Sequence, residues 1–232
     1  MATINSVFKL EDVVFEVLAE ALYLVPQVSR VTDEKTLLSE AILCILSSQE
    51  KYELALSATK QIKEHIFIPK SKKDTDVIRR RLEKILDQRF SYIEHNQAYS
   101  RKIRFNVRKI HYIITTMENI YLNNTTFSSI IGSHVSAENK REIVMKYCLG
   151  LGPKQASMFL RNIGFHSEFA VLDKHILDYM ILLGLSKCAS YSGISSYRRV
   201  EEELKSYAAT KSANLYHLDL AIWATMRQWK YF

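Results

Sequence analysis

A glycine-rich turn followed by a lysine is the part of the sequence best suited to carry chemistry. Residues 149–155 read "LGLGPKQ", so Lys154 follows Gly150, Gly152 and Pro153. Glycine permits a tight turn, and proline favours the first position of a helix, which places Lys154 in the first helical turn. The positive end of the helix dipole disfavours a cation there and favours a neutral, nucleophilic amine. The alternative is a lysine that reaches a phosphate or the solvent.

An aspartate follows at a distance that makes it a second candidate. Asp173 lies nineteen residues after Lys154, between the apolar stretch "FAVL" and the helical pattern "KHILDYMILL". On the pattern alone it is predicted to be the N-cap of that helix. A capping carboxylate is held rigidly by backbone donors, so a cap can also serve as a catalytic group.

The elements around these two residues are predicted to be helices throughout. Apolar residues recur at helical spacing, and no stretch alternates cleanly as a strand does. Helix starts are expected at Asp33, at Ser47 or Ser48, at Asp74, at Asn106 and at Ser136. Further helices are expected over residues 12–24, 173–183, 195–209 and 214–229, with Gly184 ending the second of these. The predicted fold class is therefore all-α.

Composition supports a compact helical protein and excludes several classes. Of 232 residues 47% are hydrophobic, with six glycines and three prolines, which interrupt helices. No apolar run is long enough for a bilayer, and the first residues do not resemble a signal peptide. The three cysteines lie far apart, which disfavours a disulfide framework or a four-cysteine cluster and indicates a reducing compartment.

Positive charge is concentrated in one segment. The net charge is +7, and residues 70–109 hold 13 Lys and Arg against 5 Asp and Glu. Such a surplus suggests a polyanionic partner. The alternative is an ordinary solvated helix face.

The turn, its lysine and the aspartate within "VLDKHIL" resemble the helix-hairpin-helix DNA glycosylases that carry a Gly/Pro-rich loop and a catalytic aspartate. Lysine at this position is typical of bifunctional members, which excise a base and nick the abasic strand. Three more stretches are similar to the archaeal-type 8-oxoguanine DNA glycosylase/AP lyases. They are "AILCILSSQEKYELA" (41–55), "IRFNVRKIHYII" (103–114) and "LDLAIWATMRQWKYF" (218–232).

The resemblance implies an architecture and a reaction. Two helical subdomains are expected to flank a DNA-binding cleft: residues 1–32 with 165–232, and residues 33–164, which end in a helix-hairpin-helix over about 136–164. Lys154 would attack the sugar C1′ as 8-oxoguanine leaves, forming a Schiff base that undergoes β-elimination, and Asp173 would stabilise positive charge on the sugar. The expected partner is duplex DNA with a damaged base. The protein is expected to be a monomer without cofactor, metal or membrane partner, in the cytoplasm near the nucleoid, or in a nucleus if the source is eukaryotic.

The resemblance also implies roles for further residues. The implied base pocket comprises Met158, Asp219, Trp223, Phe232 and Gln27, and the implied DNA contacts comprise Gln49, Gly150, Gly152 and His175. Five of these residues have a plainer alternative: Met158 and Trp223 as core residues, Asp219 as a solvated carboxylate, His175 as a partly buried helix residue, and Gln49 as a loop residue. Two other functions stay open, a non-catalytic helix-hairpin-helix DNA-binding protein and a glycosylase for another damaged base.

Overall fold

The computed structural model describes residues 4–24, 29–94, 96–132, 135–165 and 169–229. Within these ranges the chain forms eleven helices and one two-stranded sheet, so the predicted all-α fold class is confirmed. The helices are α1 (Ile4–Leu24), α2 (Glu34–Leu46), α3 (Tyr52–His65), α4 (Lys72–Leu86), α5 (Asn106–Tyr121), α6 (Phe127–Ile130), α7 (Ala137–Tyr147), α8 (Pro153–Asn162), α9 (Lys174–Leu182), α10 (Ile194–Thr210) and α11 (Leu215–Trp229). The strands are β1 (Phe90–Glu94) and β2 (Gln97–Arg101).

The chain divides into two compact units. One is Val31–Phe159, and the other combines Met1–Arg30 with Leu160–Phe232. In the first unit the buried ring of Phe127 packs against Phe159, with 5.4 Å between ring centroids. In the second unit α1, α9, α10 and α11 share one buried apolar cluster. Helix α8 begins in the first unit and ends in the second.

Several helix starts follow local capping chemistry as predicted. Asp33 caps α2 by accepting a hydrogen bond from the Thr36 amide, and Ser136 caps α7. Helix α5 begins at Asn106, the residue expected to open it. These predictions are confirmed because a cap depends on residues only two or three positions away.

Two predicted caps are wrong. Neither Ser47 nor Ser48 caps α3, whose N-cap position is Lys51 and has no side-chain cap. Helix α4 begins at Lys72, with Ser71 and not Asp74 as its N-cap. The Asp74 carboxylate instead accepts a hydrogen bond from the backbone amide of Lys70. Serine and aspartate three residues apart both suit a cap, and in this helix the first forms the cap while the second supports it.

The expectation that no strand is present is also wrong, because β1 and β2 form an antiparallel hairpin. The apolar–polar alternation of the β1 sequence is broken by Ile93, an apolar residue that is 69% exposed, and β2 is almost wholly exposed. The pairing is supported by the stacked rings of Tyr92 and Tyr99, whose centroids lie 5.5 Å apart. This cross-strand contact has no signal within either strand alone.

Within the described ranges, no helix is both long and apolar enough to cross a membrane. The same residues hold no group of three or more His, Cys, Asp or Glu side chains arranged to bind a metal ion. Cys44, Cys148 and Cys188 form no disulfide, and the first two are buried.

Candidate active site

The turn between α7 and α8 depends on one of its two glycines. Gly150 has a φ of +86°, and a Cβ at this position would lie 2.7 Å from Cε2 of Tyr112. Both the backbone conformation and the neighbouring ring therefore require glycine. Gly152 lies outside the left-handed region and has open space around the position of a Cβ. The expectation that both glycines supply special backbone freedom is thus correct for Gly150 alone.

Lys154 stands in the first turn of α8, as predicted. Pro153 is the first residue of that helix, and the Gly152 carbonyl accepts its first backbone hydrogen bond, from Ala156. The lysine is half-buried. Met158 lies one turn further along the helix, on the same face, and is buried. The hairpin thus carries an amine and a thioether on one helix face.

Asp173 is the N-cap of α9, which confirms the prediction from its sequence position. Its Oδ1 accepts hydrogen bonds from the amides of His175 (2.8 Å) and Ile176 (3.1 Å). Because both donors bind Oδ1, the cap fixes the carboxylate without engaging Oδ2. The Asp173 and His175 side chains are half-buried.

Asp219 is buried at 2% exposure, so the alternative of a solvated carboxylate is wrong. Its Oδ2 accepts hydrogen bonds from Arg161 Nη1 (2.9 Å) and from the Val171 amide (2.6 Å). Burial raises the pKa of this carboxyl, and the charge of Arg161 opposes the shift. Trp223, one turn later on α11, is half-buried against the apolar cluster, with the Arg227 guanidinium 4.5 Å from its ring centroid.

The loop after α2 is exposed at Gln49, which has a φ of +53°. Its carbonyl accepts a hydrogen bond from the Arg104 guanidinium. The next side chain, Glu50, is fully buried, pairs with the Arg101 guanidinium and accepts from the Arg104 amide at 3.0 Å. Burial opposes ionisation of Glu50, but these hydrogen bonds outweigh it and lower its pKa. Glu50 thereby ties the Gln49 loop to the end of the β-hairpin.

A buried lysine completes this cluster. Lys109 on α5 is 3% exposed, and its amine donates to the Leu46 carbonyl at 2.8 Å. Burial lowers its pKa to about 8, although the charge of Glu50 acts in the opposite direction. A cation at the last carbonyls of α2 is favourably placed in the helix dipole.

Phe105 is a candidate contact that was not predicted from the sequence. It is 50% exposed, has a φ of +56°, and lies under the Arg108 guanidinium at 4.6 Å. The next residue but one, Val107, is also largely exposed. An aromatic residue among basic ones in "RKIRFNVRK" was an available signal, because nucleic-acid surfaces combine both types.

The first unit therefore holds Lys154, Met158, Gly150, Gly152 and Gln49, and the second holds Asp173, His175, Asp219 and Trp223. Gln27 and Phe232, the remaining predicted pocket residues, lie outside the described residues. What the two units offer chemically is an amine at a helix N-terminus and a capped carboxylate.

Comparisons with known proteins agree with the resemblance. A family model described as "8-oxoguanine DNA glycosylase" matches residues 24–213. An 8-oxoguanine DNA glycosylase/AP lyase of Saccharolobus islandicus (strain L.S.2.15) is 26% identical over 200 residues, 85% of this chain and 85% of that protein. A protein of the same name from Fusobacterium nucleatum is 27% identical over 123 residues, only 57% of its length. The crystal structure of the 8-oxoguanine DNA glycosylase of Thermotoga maritima matches with a TM-score of 0.67 and 23% identity, covering 92% of this chain and 95% of that one, which shows a shared fold.

Proposed function

Because the chain belongs to the 8-oxoguanine DNA glycosylase family, we propose that it excises 8-oxoguanine from duplex DNA and then cleaves the strand at the resulting abasic site. One observation carries the proposal. The chain holds both a lysine in the first turn of the hairpin's second helix and, nineteen residues on, an aspartate that caps the next helix. A hairpin that only binds DNA has no need of that second group.

In the proposed reaction Lys154 supplies the nucleophile. The damaged nucleotide is turned out of the duplex, and the neutral amine attacks C1′ while the bond from C1′ to the base breaks. The base leaves with the bonding electrons and takes up a proton. The sugar ring then opens to a Schiff base between C1′ and Nζ. Loss of a proton from C2′ expels the 3′ phosphate, which nicks the strand on the 3′ side.

Asp173 is proposed to stabilise the positive charge that develops on the sugar as the base departs. Its cap leaves Oδ2 unengaged by the α9 amides, so one oxygen can face the substrate while the other fixes the side chain. The same carboxylate can accept and return the protons that the steps above release and consume.

The proposed base pocket comprises Met158, Asp219 and Trp223, together with Gln27 and Phe232. A thioether and an indole suit the two faces of a purine, and a carboxylate suits its hydrogen-bonding edge. Since Asp219 Oδ2 already accepts two hydrogen bonds, any contact with the base would have to use Oδ1.

The proposed DNA contacts are backbone amides of the hairpin, side chains of the exposed loops and basic residues. The hairpin amides at Gly150 and Gly152 and the side chain of His175 would bind backbone phosphate. Exposed Gln49 and Phe105 would occupy or stack beside the space that the displaced nucleotide leaves. The basic surplus over residues 70–109 would add phosphate contacts, so affinity should fall steeply with salt.

Borohydride reduction of the Schiff base tests the nucleophile. A duplex with one 8-oxoguanine should give a covalent adduct with the wild-type chain, and Lys154→Gln should abolish it. Lys174→Gln is a matched control, because Lys174 is also a first-turn lysine but is exposed and paired with Asp178 at 3.0 Å. Trapping by Lys154→Gln at the wild-type level would remove Lys154 from the mechanism.

Asp173→Asn separates catalysis from capping. Asparagine caps a helix about as well as aspartate, so stability should change by less than about 0.5 kcal/mol. The rate of base excision should fall by about 100-fold or more, because the charge is gone. Urea unfolding and single-turnover excision assays measure the two effects, and an unchanged excision rate contradicts the proposed role.

Other outcomes would favour the other functions. Affinity for intact duplex without adduct or cleavage indicates a DNA-binding protein that is not an enzyme. Equal excision of several damaged bases in a panel of duplexes indicates a broader glycosylase. The proposal further includes a monomer that needs no cofactor and acts on nucleoid or nuclear DNA, with ultracentrifugation as the test of the oligomeric state.

A further inference from the structure

The short segment that leads into Asp173 is buried although it forms neither helix nor strand. The five residues of this stretch, called the 169–173 segment, are all buried except Asp173 itself, which is half-buried. A buried stretch without secondary structure lacks the regular backbone hydrogen bonds of a helix or a strand. Each of its amides and carbonyls therefore needs a separate partner.

Side chains from elsewhere in the same unit supply most of those partners. Tyr197, fully buried on α10, donates from its hydroxyl to the Ala170 carbonyl at 2.7 Å and accepts from the Leu172 amide at 3.1 Å. Glu201, one turn later, accepts from the Ala170 amide at 2.9 Å. One tyrosine hydroxyl thus bridges two points of the backbone on the approach to Asp173.

The remaining amides and carbonyls of residues 170–173 are also bound. Asp219 accepts from the Val171 amide at 2.6 Å, and Tyr191 donates to the Leu172 carbonyl at 3.1 Å. The Asp173 amide itself donates to the Val171 carbonyl at 2.8 Å. Every amide from residue 170 to 173 and every carbonyl from 170 to 172 therefore has a partner.

Capping fixes the Asp173 carboxylate relative to α9. It does not hold the backbone of Asp173 and of the residues before it in place. From this complete set of bonds we infer that Tyr197 is a positioning residue that holds the backbone of Asp173 where the proposed reaction needs it. The inference rests on the proposed role of Asp173. A displacement of about 1 Å in a catalytic group can lower the rate by about 100-fold. Even a small movement of the 169–173 segment would therefore lower the rate of excision.

Tyr197→Phe tests the inference, because it removes both hydrogen bonds while keeping the ring. Tyr179→Phe is the matched control: Tyr179 is equally buried, lies in the same apolar cluster, and its hydroxyl bonds to the Tyr207 hydroxyl at 2.9 Å, away from the 169–173 segment. The substrate is a duplex with one 8-oxoguanine, and the readouts are the single-turnover excision rate, the Kd for the duplex and the urea midpoint.

We expect Tyr197→Phe to lower the excision rate by at least about tenfold, with the Kd within about twofold of wild type. Tyr179→Phe should lose stability to a comparable extent but keep its excision rate within about twofold of wild type. Equal excision rates for the two variants overturn the inference while leaving the proposed function intact. A wild-type chain that does not excise 8-oxoguanine overturns the proposed function, and the inference with it.

A second variant serves if Tyr197→Phe does not fold. Tyr191→Phe removes a single donor, to the Leu172 carbonyl, from a half-buried ring. It should lower the excision rate by about threefold or more with unchanged Kd, and a wild-type rate in this variant contradicts the inference.

Discussion

Replacing Gly150 by alanine should destabilise the protein far more than the same change at Gly152, two residues away. At Gly150 the side chain meets two obstacles, a φ of +86° and the ring of Tyr112, with Cε2 at 2.7 Å and Cγ at 2.8 Å from the added Cβ. Because Cγ lies near the start of the tyrosine side chain, the ring cannot escape by a small tilt. Gly152 presents neither obstacle.

The magnitude follows from these terms. An L-residue in the left-handed region costs about 1–2 kcal/mol, and forcing a ring out of its place costs about 1–3 kcal/mol. Alanine restricts the unfolded chain, which returns about 0.4–1 kcal/mol. The net loss expected for Gly150→Ala is about 1–5 kcal/mol. For Gly152→Ala the last contribution stands alone, so its stability should be unchanged or slightly raised.

Urea unfolding followed by circular dichroism measures both variants under one set of conditions. Both substitutions lie in the same turn of the same unit, so the difference in midpoint compares like with like. In a Tyr112→Ala background, Gly150→Ala should cost less stability than it does in the wild type. The Tyr112→Ala change removes the ring but not the backbone strain. Equal midpoints for Gly150→Ala and Gly152→Ala would refute the requirement for glycine at position 150.

Three further predictions concern buried charges. Because the pKa of Lys109 is lowered, the folded state binds fewer protons than the unfolded state between pH 8 and 10.5. The stability of the wild type relative to Lys109→Met should therefore rise over that range by up to about 3 kcal/mol, as measured by paired urea titrations. Glu50 has a lowered pKa, so the stability that its carboxylate contributes should be complete above pH 4.5 and lost as the pH falls below that value. Glu50→Gln should cost about 1–2 kcal/mol in thermal unfolding at pH 7, because the arginine partners of Glu50 are partly solvated. Asp219→Asn leaves Arg161, whose side chain is 11% exposed, without its buried carboxylate and should cost about 3–5 kcal/mol in urea. A change below about 1 kcal/mol would contradict the importance of this pair.

Much of the helical framework was predictable because its signals are local. Asp33 and Ser136 cap helices through amides three residues away, and Pro153 fixes the start of α8 by its own ring. The choice between Ser71 and Asp74 was not predictable from type alone, since both residues suit a cap. The β-hairpin was missed because its stability comes from pairing across the turn and from packing of β1 on α3, neither of which leaves a pattern within one strand.

The helix positions of the two principal residues of the candidate site were predictable, and the contacts around them were not. Lys154 and Asp173 occupy the first turn and the N-cap that their neighbours in sequence predict. The burial of Asp219 depends on Arg161, which is 58 residues away in the chain. Tyr197 binds the 169–173 segment from 25 residues beyond Leu172. Such contacts are set by tertiary packing, for which a single sequence carries no local signal.

The burial of Lys109 has a consequence for any experiment that traps a sugar aldehyde on a lysine of this protein. With a pKa of about 8, its amine is more often unprotonated near neutral pH than that of an ordinary lysine, and on acidity alone it would be a competing nucleophile. Its amine, however, is bound to the Leu46 carbonyl beneath the protein surface, where a sugar cannot reach it. Peptide mapping of a reduced adduct should therefore depend on the accessibility of each lysine amine as well as on its pKa, and it should not find the adduct on Lys109.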